Sequence, residues 1–117
     1  MGTELEARKD VCLLRLPDRV QPAAYVRARA ELEAAGCRKV VVDCQGAPYL
    51  DAAGIGFIAD LYKSLMNSGG ELALANVTPL MREELEVTLL DGLIPIFDDE
   101  QAALAALNYQ ERAAYAV

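Results

Sequence analysis

The residues in this 117-residue chain whose types and spacing suggest a chemistry lie at Asp51-Ala52-Ala53-Gly54-Ile55-Gly56, directly after a loop containing Gly46 and Pro48. Aspartate is a strong helix-capping residue. A helix start presents unpaired backbone N–H groups and the positive end of the macrodipole. A carboxylate is stable there, and so is a phosphate. Gly54 and Gly56 lack side chains, which would let a partner's backbone approach closely. A plainer reading fits the same residues: a cap contributing about 1 kcal/mol, with glycines that serve helix–sheet packing.

Other chemistries find little support. The chain has no histidine, which removes the usual general base and the commonest metal ligand. No glycine-rich phosphate loop or basic pocket is visible, so no cofactor is expected. Cys12, Cys37 and Cys44 are odd in number and lack a C-x-x-C spacing. They are expected to be buried, reduced thiols of a cytosolic protein, not a disulfide framework or a zinc site. Ser64, Ser68, Thr78 and Thr88 fit helix-surface and capping roles.

Composition narrows the partner. A chain with 54% hydrophobic and 25% charged residues can pack a core, and its length suits one domain. A net charge of −7 argues against nucleic acid as the partner, because neutralising phosphates requires a basic face. Apolar stretches fall well short of the ~20 residues that span a bilayer. The N-terminus, MGTELEARKD, has no hydrophobic region of an export signal, so a cytoplasmic location without membrane insertion is expected. Gly2 is followed by Glu6 where a myristoylation start needs Ser or Thr.

The elements that must position the helix start can be read in order. Glu4–Arg8 and Val11–Leu16 form two strands joined by a tight Lys9-Asp10 turn. A helix runs from Pro22 to a Gly36 cap, with Tyr25, Ala28, Leu32 and Ala35 on one face and an Arg27–Glu31 pair on another. Val40-Val41-Val42 marks a strand covered on both faces. The helix capped by Asp51 runs through Asn67, with Ile55, Ile58, Tyr62, Leu65 and Met66 inward, and Ser68-Gly69-Gly70 ends it. Glu71–Ala75 is the next strand. Thr78-Pro79 opens a helix with Met81, Leu85 and Leu89 inward, ended by Asp91-Gly92. Ile94–Phe97 is the last strand, and Asp98 with Gln101 caps a final helix to about Leu107. The tail from Asn108 to Val117 either prolongs that helix or frays. Alternating strands and helices require a largely parallel sheet, made mixed by the opening hairpin.

The stretch from Val40 to Gly70, together with Leu89-Leu90-Asp91-Gly92-Leu93-Ile94, resembles the STAS domain shared by sulfate transporters and bacterial anti-sigma factor antagonists. In that family a buried strand leads through a loop to D-S-[ST]-G-[LIV]-G at a helix start. Here that string is Asp51-Ala52-Ala53-Gly54-Ile55-Gly56, followed by the Gly69-Gly70 turn, and the resemblance runs from about Glu4 to Leu107. It implies a mixed, mostly parallel sheet of about five strands with about four helices in one domain. It also implies a non-enzymatic regulator that binds an anti-sigma factor, itself a serine kinase, through Asp51, Ala52, Ala53, Gly54, Ile55 and Gly56. The family often places a further acid near the serine, which maps onto Asp18. In antagonists of this family the serine after the aspartate is the phosphate acceptor. The matching residue is Ala52, and Ala53 replaces the second hydroxyl residue, so neither can take a phosphate.

Two rivals remain in view. Some members of the family are soluble subunits of lipid or anion transport systems. A phospho-aspartyl receiver domain would carry its acceptor near Asp43. It would also need an acidic pair where Pro17-Asp18-Arg19 offers one acid, and a lysine that Leu93–Phe97 lacks.

Overall fold

The computed structural model describes residues 4–8, 11–17 and 20–107. Its strands are β1 (Glu4–Arg8), β2 (Val11–Arg15), β3 (Lys39–Asp43), β4 (Glu71–Ala75) and β5 (Ile96–Phe97), in one sheet of spatial order β1-β2-β3-β4-β5. β1 and β2 are antiparallel, with Arg8 opposite Val11, and every other neighbour pair is parallel. Lys9 and Asp10, expected to form the hairpin turn, lie outside the described residues, as does the tail 108–117. The parallel strands are linked by α1 (Pro22–Ala34), α2 (Ala52–Asn67) and α3 (Pro79–Val87), and a last helix, α4, covers residues 100–107. The mixed sheet and its four helices are the architecture expected from the sequence.

Successive strands that are also spatial neighbours, joined by crossovers of one hand, place their helices on one face of the sheet. The core divides accordingly. Cys12, Leu14, Val40, Val42, Leu72 and Leu74 pack with Ile58 and Leu61 of α2 and Met81 and Leu85 of α3. The alternate residues Val11, Leu13, Val41, Ala73 and Ala75 face Ala103, Leu104 and Leu107 of α4. Each central strand is covered on both sides, which is why it is apolar throughout and does not alternate.

The helix ends obey one rule with one exception. Gly36 (φ +68) and Gly69 (φ +76) follow α1 and α2 in the left-handed conformation. The next amides, Cys37 N and Gly70 N, bond back to Leu32 O at 3.1 Å and Leu65 O at 2.7 Å. This closes the Schellman turn that favours glycine. α3 ends in the same way, with Leu90 N on Leu85 O at 2.9 Å, but the left-handed residue is Leu89 (φ +63). That conformation turns Leu89 outward to 75% exposure and lets Leu90 enter the core. The expected inward Leu89 is thereby corrected, because the helix stops at Val87 and its periodicity no longer applies.

Other expectations shift by small rotations. The buried face of α2 is Gly54, Phe57, Ile58, Leu61 and Leu65, with Ile55 and Tyr62 flanking it half-buried and Met66 exposed. On α1 Ala35 lies past the helix and is exposed, and the ion pair is Arg29–Glu33 at 3.4 Å in place of Arg27–Glu31. β5 begins at Ile96, since Ile94 serves as a buried plug before it. The α4 cap is Asp99, whose Oδ1 accepts from Ala102 N at 2.8 Å, and not Asp98.

The cysteines require a larger correction. Cys12 and Cys37 form a disulfide, and only Cys44 is free and buried. Cys12 sits opposite Val40 in the β2–β3 register and Cys37 leads into β3, which brings their Cα atoms to 5.9 Å, well inside bonding range. No described helix is long and apolar enough to cross a membrane.

Candidate functional site

In open parallel sheets the carboxyl ends of the strands are where loops are free to bind. At that edge the loop from Cys44 to Leu50 leads from β3 into α2. It is held at its start by β4 and at Pro48 by Thr78, with one turn bond inside it. Cys44 N donates to Ala75 O at 2.9 Å, and Ala47 N to Cys44 O at 3.0 Å. Ala47 and Leu50 are buried beneath it. From the connection between β4 and α3, the Thr78 hydroxyl accepts from Met81 N as the α3 cap and donates to Pro48 O, both at 3.1 Å.

α2 starts on this fixed loop. Asp51 is the N-cap, with extended backbone (φ −83, ψ −176), and its Oδ1 accepts from Gly54 N at 2.8 Å. Asp51, Ala52, Ala53 and Gly56 are exposed, Ile55 is half-buried against the core, and Gly54 is buried. The two glycines have different jobs. A Cβ on Gly56 would meet nothing within 4 Å, so this glycine does leave an open surface. A Cβ on Gly54 would lie 2.7 Å from the Tyr25 hydroxyl oxygen and 3.1 Å from Leu50 Cδ2. Gly54 is therefore a seat for α1, and the expectation that it lightens a surface for a partner is corrected. Tyr25 stacks on Phe57 with ring centroids 5.0 Å apart. Burial first, then the charges of Asp51 and Cys44, push its hydroxyl up to about 12. Asp18 lies outside the described residues.

Beside the helix start an open groove of about 290 Å³ runs between α1 and α2, bounded by Val26, Arg29, Ala53, Gly56, Phe57 and Asp60. Two surface residues escaped the sequence reading: Tyr49, 56% exposed in the loop, and Leu80, 51% exposed on α3. The Thr78–Pro48 bond joins the segments that carry them. Exposure of large apolar side chains is visible only once the fold is known; their residue types alone read as core.

Below the loop a polar network runs from buried Asp43 outward to the half-exposed Arg15. Asp43, 3% exposed, accepts from Gln45 N at 3.0 Å and from Asn76 Nδ2 at 2.8 Å. Asn76 reaches it from a left-handed backbone (φ 57). Burial, then a hydrogen bond with Glu100, raises the Asp43 carboxyl above its ordinary value. Glu100 is in turn held by Arg15, through Nε at 2.7 Å and Nη2 at 3.2 Å, and Arg15 Nη1 reaches Glu6 at 2.9 Å. Glu100 first, and Glu6 after it, hold the Arg15 guanidinium firmly protonated. Asp43 is thus sealed and occupied, and the sheet order differs from the 2-1-3-4-5 arrangement of receiver domains. The receiver reading fails on both counts. Among the described residues no group of three or more His, Cys, Asp or Glu is placed to hold a metal ion. The helix start thus brings together one capping acid and the small, exposed residues Ala52, Ala53 and Gly56 at the end where backbone N–H groups point outward.

Comparison with known proteins gives the family and the fold. Residues 4–103 match the STAS domain family. The chain is 28% identical over 109 residues to an anti-sigma F factor antagonist of Paenibacillus polymyxa, covering 90% of this chain and 93% of that one. An anti-sigma factor antagonist from Mycobacterium paratuberculosis superposes with a TM-score of 0.79 at 22% identity, over 92% of this chain and 93% of that chain. The Bacillus cell fate determinant SpoIIAA, solved in its phosphorylated form, gives 0.76 at 21% identity, over 90% and 98%. At such identities the two structures speak for the fold alone.

Proposed function

The chain belongs to the STAS-domain family, and from that premise we propose that it is a non-enzymatic regulator which docks a serine-kinase-type anti-sigma factor at the start of α2. The observation that carries this reading is the joint exposure of Asp51, Ala52, Ala53 and Gly56 on a helix start whose loop is held by β4 at Cys44 and by Thr78 at Pro48. The naming of the Paenibacillus relative as an anti-sigma F factor antagonist supports the partner class. A cytoplasmic location goes with that partner.

The docking face would not be closed by phosphate. Phosphorylation acts by adding roughly two negative charges and new acceptor oxygens, and it needs a hydroxyl. At the two positions where the family pattern has one, Ala52 and Ala53 end in methyl groups. The chain is therefore a constitutive binder: the kinase that would release a serine-bearing relative has no acceptor here.

The test is a titration of the cognate anti-sigma factor with this chain in Mg-ADP and in Mg-ATP, with intact-mass spectrometry of the products. The reading predicts saturable binding that is equal in both nucleotides, and an unchanged mass. A phosphate gained on the α2 start, or binding lost in ATP, would overturn it.

A further inference from the structure

The Cys12–Cys37 disulfide joins an interior strand to the end of a helix whose inward side chains are smaller than those of its neighbour α2. Cys12 lies buried in β2. Cys37 is half-buried and follows the Gly36 turn that closes α1, its own amide bonded to Leu32 O at 3.1 Å. α1 buries Ala24, Tyr25, Ala28 and Leu32, whereas α2 buries Phe57, Ile58, Leu61 and Leu65. Buried area scales the hydrophobic hold, so α1, with two of its four inward residues alanine, is the more weakly held helix. It also forms one wall of the groove beside Ala53 and sets Tyr25 on Gly54.

Contacts other than the disulfide fix the chain on either side of Cys37: the parallel ladder pairs Val11 with Lys39 and Cys12 with Val40, and the Gly36 turn bonds Cys37 N to Leu32 O. Cys44, the remaining thiol, is fully buried, and burial followed by the Asp43 charge pushes it up to about 12. Thiol exchange proceeds through the thiolate, so Cys44 does not compete for either partner.

We propose that Cys12 and Cys37 form a reversible dithiol–disulfide couple that sets how firmly α1 is clamped to the sheet and to α2. In the reducing direction, a small thiol such as glutathione attacks Cys37, the more exposed sulfur, as its thiolate. The S–S bond breaks and Cys12 leaves as a thiolate that takes a proton. A second glutathione resolves the mixed disulfide, so two glutathiones supply two electrons and leave as glutathione disulfide. Glutathione disulfide drives the reverse. A bond of this kind in a cytoplasmic protein is commonly transient and redox-sensing.

The experiment is hydrogen exchange on the folded protein equilibrated with glutathione or with glutathione disulfide, alongside alkylation and mass mapping. In glutathione, two cysteines, Cys12 and Cys37, should become alkylatable without unfolding, with Cys44 protected. Amides of Ala28 to Leu32 should exchange about tenfold faster or more, while those of α3 stay unchanged. Glutathione disulfide should restore the slow rate, and Cys37→Ser should exchange at the fast rate in both buffers. Alkylation of both cysteines in glutathione disulfide would overturn the proposal. So would a bond that opens only in denaturant, or reduction that leaves α1 exchange unchanged.

Discussion

A methyl group added to Gly54 would press on the Tyr25 hydroxyl oxygen at 2.7 Å, whereas one added to Gly56 would meet open space. Gly54→Ala should therefore lower stability by about 1–3 kcal/mol through overpacking. Gly56→Ala should raise it by about 0.5–1 kcal/mol, because a helix-interior glycine gives up backbone entropy that alanine does not. Urea unfolding midpoints check both, and a shift of the same sign for the two would contradict the assigned roles. Asp43 gives a second residue-scale prediction. Folding raises its carboxyl above 3.8, mainly by burial and then by Glu100, against the opposing bonds from Asn76 and Gln45. An acid whose folded value is raised contributes stability that is complete below the unfolded value and is lost as pH climbs through the folded one. Wild type should lose stability relative to Asp43→Asn as pH rises from about 4 toward neutrality. Asparagine keeps an acceptor oxygen for Gln45 and Asn76. Parallel pH profiles in urea melts would contradict this.

At the scale of elements, the left-handed closing residue is glycine after α1 and α2 but Leu89 after α3. A non-glycine residue there is strained by roughly 1–2 kcal/mol, and with its side chain 75% exposed Leu89 recovers little by packing. Leu89→Gly should raise stability by about 1 kcal/mol, measured as a higher unfolding midpoint at constant slope. A lower midpoint would mean that the leucine makes a contact worth more than its strain. The same ends show what the sequence could tell. Gly36 and Gly69 announced their turns because glycine is the residue such turns favour. Leu89 did not, and its helical spacing pointed it inward. The Asp51 cap was legible because aspartate before a periodic apolar run has one local meaning. The buried face of α2 was legible only to within a rotation: Ile58 and Leu65 lie on it as read, Ile55 and Tyr62 only flank it, Met66 is exposed, and Phe57 and Leu61 complete it from the other side.

Across the whole molecule, the alternation of strands and helices was enough to give the mixed sheet, because parallel neighbours must be joined by crossovers. What local pattern could not give was any fact made by two distant segments meeting. The Cys12–Cys37 bond depends on the β2–β3 register. The tight fit at Gly54 depends on Tyr25 arriving from α1. The surface exposure of Tyr49 and Leu80 depends on how the loop and α3 pack. The Asp51 cap, in contrast, is made within one continuous segment, and so it could be read before the fold was known. The docking face proposed at the α2 start is best tested with Ala53→Arg, which adds bulk and charge to an exposed position and leaves the core untouched. In a calorimetric titration against the cognate anti-sigma factor, the variant should keep the wild-type unfolding midpoint and bind at least about tenfold more weakly, a loss of about 1.4 kcal/mol. Equal affinity from a folded Ala53→Arg protein would place the interface on another face of the molecule.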